Sequence, residues 1–345
     1  MDLGTLKALL ETVSPSSAEE EVFDFVQKFN AGCCALQKDA LGNTYLKNAS
    51  GSGPVVMIAA HCDEIGLQVV HITPEGYVRF RAVGGVDAKA TAGRRVVILS
   101  AAGKVPGVIC KVPIHVEMKD KTTDNVLSLA DLWIDIGCSS QAEASALVAV
   151  GDMISFVPNY QPLAGGRISS KALDNKLGVF IAASALKRLA GTPSCANQAV
   201  GVLTVQEEVG CKGAAVAAQA LSPSWGICID VGVATDCPGV SAEKYGDLAL
   251  GKGPGLSFCT DTSRALTAKA AGILDRAGIP FQRTVGLSAT GGTDTMRMQV
   301  AGNGVPCVLL SIPLRSMHTP SEVCDLEDVS AAIDAVVELV KEMSL

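Results

Sequence analysis

AVGVLTVQEEVG, residues 199–210, makes two demands on the chain. The run AVGVLTV is apolar, short and β-branched, and it reads as a buried strand of a parallel sheet. Directly after it stand Glu207 and Glu208. Adjacent carboxylates at the edge of a dry interior repel one another. They either lie on a solvated turn, as most charged residues do, or they are used or neutralised by something nearby. The rest of the chain decides between these readings.

Working outward, strand and helix patterns alternate. PVVMIAA (54–60), WGICID (225–230) and GVPCVLLSIP (304–313) read as strands. KLGVFIAASALKRLAG (176–191, closed by Gly191), GCKGAAVAAQAL (210–221), TSRALTAKAAGILDRAG (262–278) and LEDVSAAIDAVVELVKEM (326–343) read as helices. SPSSAEEEVFDFVQKF (14–29) opens like another, with Ser16/Glu19 or Ser17/Glu20 as a capping box. The alternation predicts an α/β fold with a mostly parallel sheet sandwiched by helices, formed by residues 1–66 and 161–345. Residues 67–160 differ. QVVHITPEGYVRFRAVGG, RRVVILSAAGKVPGVIC, LWIDIGC and DMISFVP are short strands parted by Gly, Pro and Asp turns, with SQAEASALVAV as a short helix. This segment is expected to be an inserted, small β-rich domain.

Composition narrows the function classes. The 345 residues are 48% hydrophobic and 18% charged, enough for a large core. The net charge of −7 argues against nucleic acid as a partner. The N-terminus lacks the pattern of a signal peptide, and LGVFIAASAL, hemmed by Lys176 and Lys187, is about half a membrane span. Twelve scattered cysteines without a C-x-x-C pair make neither a disulfide framework nor a zinc ribbon. The expectation is a soluble, cytoplasmic protein with no membrane partner.

In an open α/β sheet, ligands bind beyond the carboxyl ends of the strands. PVVMIAA runs into His61-Cys62-Asp63-Glu64, AVGVLTV into Gln206-Glu207-Glu208, WGICI into Asp230, and VLLSIP on to Arg315 and His318. KALDNKLG places Asp174 before a helix. Five elements thus send a carboxylate or imidazole to one edge. Two of the four histidines, His61 and His318, belong to this set; His71 and His115 read as half-buried strand residues of the insert. Imidazoles and carboxylates without thiolate suit divalent metals, zinc first, with cobalt or manganese as alternatives. The set is large enough for two ions sharing one carboxylate. Asp294 in GGTD reads as a helix N-cap, Met296 and Met298 as packing residues, and Arg315 as a surface or paired arginine.

HCDEIG, KALDNKLG, TVQEEVGCKGA, IDVGVATDCPG, LGKGP, GGTD and IPLRSMHTPSEV occur in this order. Together they resemble the M42 family of metallo-aminopeptidases, over a span from about residue 10 to the C-terminus. The resemblance implies removal of N-terminal residues from short peptides, with two metal ions per subunit. It implies His61 and Asp230 as ligands of one metal, Glu208 and His318 as ligands of the other, and Asp174 as the bridge. It further implies Glu207 as the general base and Asp63 as the carboxylate that orients His61. The insert then corresponds to a dimerisation domain, and the assembly to a homo-oligomer between a dimer and a dodecamer. The chain departs from the family pattern at Asn175-Lys176, where Asp-Arg is common, and at Cys211-Lys212, where Leu-Arg is common. Cys62, between two functional positions, stands out as a place where oxidation could act. Rival readings are a metal-dependent deacylase or amidase on the same fold, a glycosidase (which would need no metal) and a scaffold with a vestigial site.

Overall fold

A computed structural model describes residues 1–48, 51, 53–117, 127–190, 192, 195 and 197–344. Its main body is an eight-stranded sheet in the order Ala35–Lys38, Thr44–Lys47, Gln198–Thr204, Val55–His61, Trp225–Val233, Cys307–Leu314, Gly255–Ser257, Gln282–Thr284. The four central strands, Gln198–Thr204 through Cys307–Leu314, are mutually parallel, as the apolar runs require. Alternation along Val55–His61 splits the core in two. Val56, Ile58 and Ala60 pack with helices Leu173–Leu189 and Leu326–Glu342, while Met57 and Ala59 pack with helix Lys212–Leu221. Both faces of the sheet are therefore covered and its centre is dry.

The helices fall where their periodicity places them. Leu326–Glu342 is capped by the Asp325 side chain on the Glu327 amide, and Arg264–Ala277 by Ser263, with Gly278 closing it in the left-handed conformation. Gly191, expected to close the helix Leu173–Leu189, lies outside the described residues. The capping box before Glu20–Phe29 does not form. The N-cap is Glu19, without a side-chain cap, and Ser16 instead turns its hydroxyl to Asp63, 2.6 Å away.

Six of the insert's strands close into a barrel in the order Gly66–Ile72, Val78–Val83, Trp133–Asp135, Gly103–Cys110, Arg95–Ser100, Met153–Phe156. Its core holds Leu67, Val69, Ile98, Ile109, Ile134 and Ile154. Closure removes the open edges that a small sheet would expose. Its two histidines differ from expectation: His71 is exposed on its strand, and His115 is exposed on a single helical turn, Ile114–Glu117. Barrel and body are joined at a buried node. Glu64 accepts from Lys171 Nζ at 2.6 Å, Lys176 Nζ at 2.9 Å, Ser155 Oγ at 2.7 Å and the Ser14 amide at 3.1 Å. Burial opposes its charge, but the two ammonium groups hold the Glu64 carboxyl down at about 2. One carboxylate faces two lysines, and burial pushes Lys171 down to about 7.

Candidate active site

The strand ends converge as the pattern implies. His61 closes Val55–His61, Glu207 and Glu208 lie in the turn after Gln198–Thr204, and Asp230 lies inside Trp225–Val233, which runs three residues further than expected. Asp174 lies in the first turn of Leu173–Leu189, where its backbone and that of Asn175 leave the helical range. His318 follows the strand Cys307–Leu314. Among the described residues, seven non-glycine positions have positive φ, and five of them (Ala172, Gln206, Cys211, Ser316, His318) flank these site elements. Backbone of this kind concentrates where side chains must be aimed.

Asp174 is the centre of the geometry. Its Oδ1 is 3.1 Å from His61 Nε2, and its Oδ2 is 3.4 Å from His318 Nε2. At the first pole His61 Nε2 also lies 3.5 Å from Asp230 Oδ1, and at the second His318 Nε2 lies 3.7 Å from Glu208 Oε2. Glu207 Oε2 reaches only to 4.0 Å from His61, while its Oε1 accepts from the Cys211 thiol at 3.3 Å. The adjacent glutamates therefore point to different places. Both imidazoles are oriented by main-chain carbonyls: His61 Nδ1 lies 3.0 Å from Asp63 O, and His318 Nδ1 lies 3.0 Å from Gly85 O. A carbonyl only accepts, so each Nδ1 donates and each Nε2 is turned to the carboxylates.

Asp63 is fully buried, and its carboxylate serves the glutamate turn. Oδ1 accepts from the Glu207 amide at 3.0 Å, and Oδ2 from the Glu208 amide at 3.2 Å and from Ser16. Its Oδ1 stands 3.6 Å from His61 Nδ1, so the imidazole's hydrogen bond goes to the main chain of the same residue.

The electrostatics is that of crowded, dry carboxylates. Burial and the neighbouring acids push Glu207 up to about 9 and Glu208 well above the ordinary carboxyl range; burial also raises Asp230. Burial alone would lower His61, but Asp230 and Glu207 hold it well above an ordinary imidazole. Bonding to Asp174 raises His318. Asp174 moves the opposite way, held low by the two imidazoles against its burial. Buried carboxylates facing two imidazoles are a donor set suited to hard and borderline divalent cations.

Two groups escaped the sequence reading, and a third, Asp294, was read only as a cap. Glu322, four residues after His318, is buried; its Oε2 accepts from the Asp174 amide at 3.1 Å and its Oε1 from the His318 amide at 3.0 Å. Gly84 and Gly85 leave the barrel strand Val78–Val83 and press on the site: a Cβ on Gly85 would stand 2.6 Å from His318 Nδ1, and one on Gly84 3.2 Å from Glu208 Oε2. Asp294 occupies the N-cap position, but its side chain makes no cap hydrogen bond. It is buried, accepts from Thr204 through Oδ2, and leaves Oδ1 without a partner. Burial raises it to about 7. Arg315 pairs with Asp236 at 2.7 Å; of the two methionines read as packing residues, Met298 is core and Met296 is exposed. Cys62 is buried and donates to Thr204 O; burial lifts its thiol well above the ordinary value, which makes it an inert core residue.

The family model for M42 glutamyl aminopeptidases matches residues 42–335. The chain belongs to the M42 peptidase family. A lysyl aminopeptidase of Pyrococcus furiosus is 32% identical over 306 residues, 88% of this chain and 86% of the relative. Among solved structures, a TET aminopeptidase from a marine sediment Thaumarchaeota archaeon superposes with a TM-score of 0.93 at 31% identity, covering 99% of this chain and 96% of that one. The TET1 peptidase of Pyrococcus horikoshii, which can assemble into a tetrahedron or a large octahedral shell, superposes at 0.89 with 31% identity over 99% of both chains. This M42 chain is thus a peptidase hydrolase of the aminopeptidase class, built on the co-catalytic exopeptidase fold, in a family of metal-dependent enzymes. Among its described residues no helix is long and apolar enough to cross a membrane.

Proposed function

We propose that this M42 chain removes single N-terminal residues from short peptides, using two divalent cations and Glu207 as the general base. The observation that carries the reading is Asp174. Its two oxygens face two separate imidazole–carboxylate poles, His61 with Asp230 and His318 with Glu208, while Glu207 belongs to neither. Such a set fits one cation per pole and a shared carboxylate, with zinc the first candidate and cobalt or manganese the alternatives. When bound, the cations would supply the positive charge that activates water and stabilises the developing oxyanion.

The chain's own residues do the rest. Glu207 is held by its amide on Asp63 and through Oε1 by the Cys211 thiol, which leaves Oε2 to accept the proton of the attacking water and deliver it to the leaving amine. Asp63 and Glu322 anchor the main chain at Glu207, Glu208, Asp174 and His318, so the reacting groups keep their places. The barrel of residues 67–160 serves as the dimerisation unit of a cytoplasmic homo-oligomer, from a dimer up to a dodecamer.

The test is Glu207→Gln. Expected are two cations per chain by elemental analysis, as in the parent, and turnover of free-amine peptides reduced by about 10²–10⁴. Loss of one cation would instead make Glu207 a ligand. Cleavage of N-acetylated substrates as fast as free-amine ones would assign the site to a deacylase.

A further inference from the structure

We infer that the cleft beside the site selects peptides whose N-terminal side chain is uncharged and apolar. This rests on the aminopeptidase reading and adds the substrate class. The cleft has a volume of ≈ 480 Å³ and opens directly from the site. Among the described residues lining it, the only charged side chains are those of the site itself: His61, Asp174, Glu207, Glu208, Asp230 and His318. The remainder of the wall is apolar, hydroxyl or glycine.

Floor and rim agree. The floor includes Leu248 and Leu309, both buried, with Ser257 and Ser311. The two serine hydroxyls are bonded to each other at 3.1 Å, which uses one of their two donors. The rim carries Val285, Leu287 and Met296, which are 51%, 52% and 37% exposed. Large apolar side chains left in solvent around one opening mark a contact surface for apolar groups. Of the basic residues beside the cleft, Arg315 is bonded to both oxygens of Asp236 and Arg283, next to the wall residue Thr284, lies over Phe258 at 4.2 Å, while Lys212, Lys244 and Arg297 adjoin wall residues without lining the cleft. Outside the site's own groups and the cations they would hold, the lining offers a carboxylate no cation and an ammonium no carboxylate. Either would lose its hydration without a partner. An aliphatic side chain loses nothing and covers apolar surface, each methylene improving discrimination by about tenfold or more.

The experiment uses the metal-loaded, full-length protein with leucyl, methionyl, alanyl, glutamyl and lysyl p-nitroanilides, comparing kcat/KM. Expected is leucyl or methionyl first, alanyl, three carbons shorter than leucyl, lower by about 10³-fold, and glutamyl lower by about 100-fold or more. Lysyl falls between, because its ammonium can reach solvent past the open rim while its stem lies on it. Met296→Lys, at the rim and outside the catalytic groups, should raise the glutamyl-to-leucyl ratio at least tenfold. Glutamyl or lysyl as the parent's best substrate overturns the inference and leaves the aminopeptidase reading standing. An unchanged ratio in Met296→Lys overturns the assignment of this cleft as the selecting surface. No cleavage of any free-amine substrate overturns the inference together with the reading beneath it.

Discussion

Gly85→Ala adds a single methyl group on the barrel side of the site. Gly85 is outside the left-handed region, so alanine brings no backbone penalty there. The cost comes from contact alone. The new Cβ would stand 2.6 Å from His318 Nδ1 and 3.0 Å from Cε1, against 3.4 Å for ordinary contact. The ring must retreat by about 0.8 Å, and its hydrogen bond to Gly85 O, 3.0 Å long, goes with it. Disturbing the group that orients a metal-binding imidazole costs about 10–100-fold in affinity, or about 1.4–2.7 kcal/mol. A misplacement near 1 Å costs about 10² in rate. The assay is a zinc titration of metal-free protein against a competing chelator, run beside kcat at saturating zinc. One of the two sites should weaken by that factor while the other is unchanged, and kcat should drop by roughly 10–100-fold. Two sites of parental affinity together with parental kcat would refute the claim that the barrel's glycine pair shapes the metal site.

Glu322→Gln replaces one of two acceptors with an amide nitrogen facing an N–H donor, so either Asp174 or His318 loses its anchor. Activity should fall about 10–100-fold with the melting temperature nearly kept, and an unchanged kcat/KM would count against the anchoring role. Glu64→Gln leaves Lys171 and Lys176 buried with no counter-charge, and should destabilise the fold by roughly 3–5 kcal/mol in denaturant titration. The parent's Glu64 is held at about 2, below its ordinary value, so its contribution is complete above about pH 4.5 and disappears as pH falls toward 2. The variant's stability should be flatter across that window. Metal binding should release protons, since Glu207, Glu208 and both histidines hold them more tightly than usual without a cation. Affinity should therefore rise with pH through the neutral range, and calorimetry in buffers of different ionisation enthalpy should show it; buffer-independent heats would contradict this.

The parallel strands and their helices were legible because each is a long, periodic segment whose burial follows from its own composition. The site groups were legible because a parallel sheet sends all its strand ends one way, so His61, Glu207, Glu208 and Asp230 could be set together without coordinates. Glu322 was not, since its role depends on a turn that folds residues 318–322 back on themselves. Its faint signal is an acid in P-S-E-V just after a candidate ligand. Gly84-Gly85 reads as an ordinary turn until the barrel carries it against His318. Two lysines flank Asp174 in KALDNKLG, yet both pair with Glu64, more than a hundred residues away. Asp294 was read from its position as a cap, and only burial shows that its side chain faces the other way.

The crowding of carboxylates around His61 has a consequence for the life of the chain as well as its chemistry. A folded state that holds Glu207, Glu208, Asp230 and Glu322 above the ordinary carboxyl range is one that opening relieves. Cations bound there stabilise the closed form by mass action, about 2.7 kcal/mol at a hundredfold excess over the dissociation constant. Starved of them, the protein samples open forms more often and is cut sooner by other proteases. Metal scarcity would then thin the population of chains rather than leave behind a stock of idle ones.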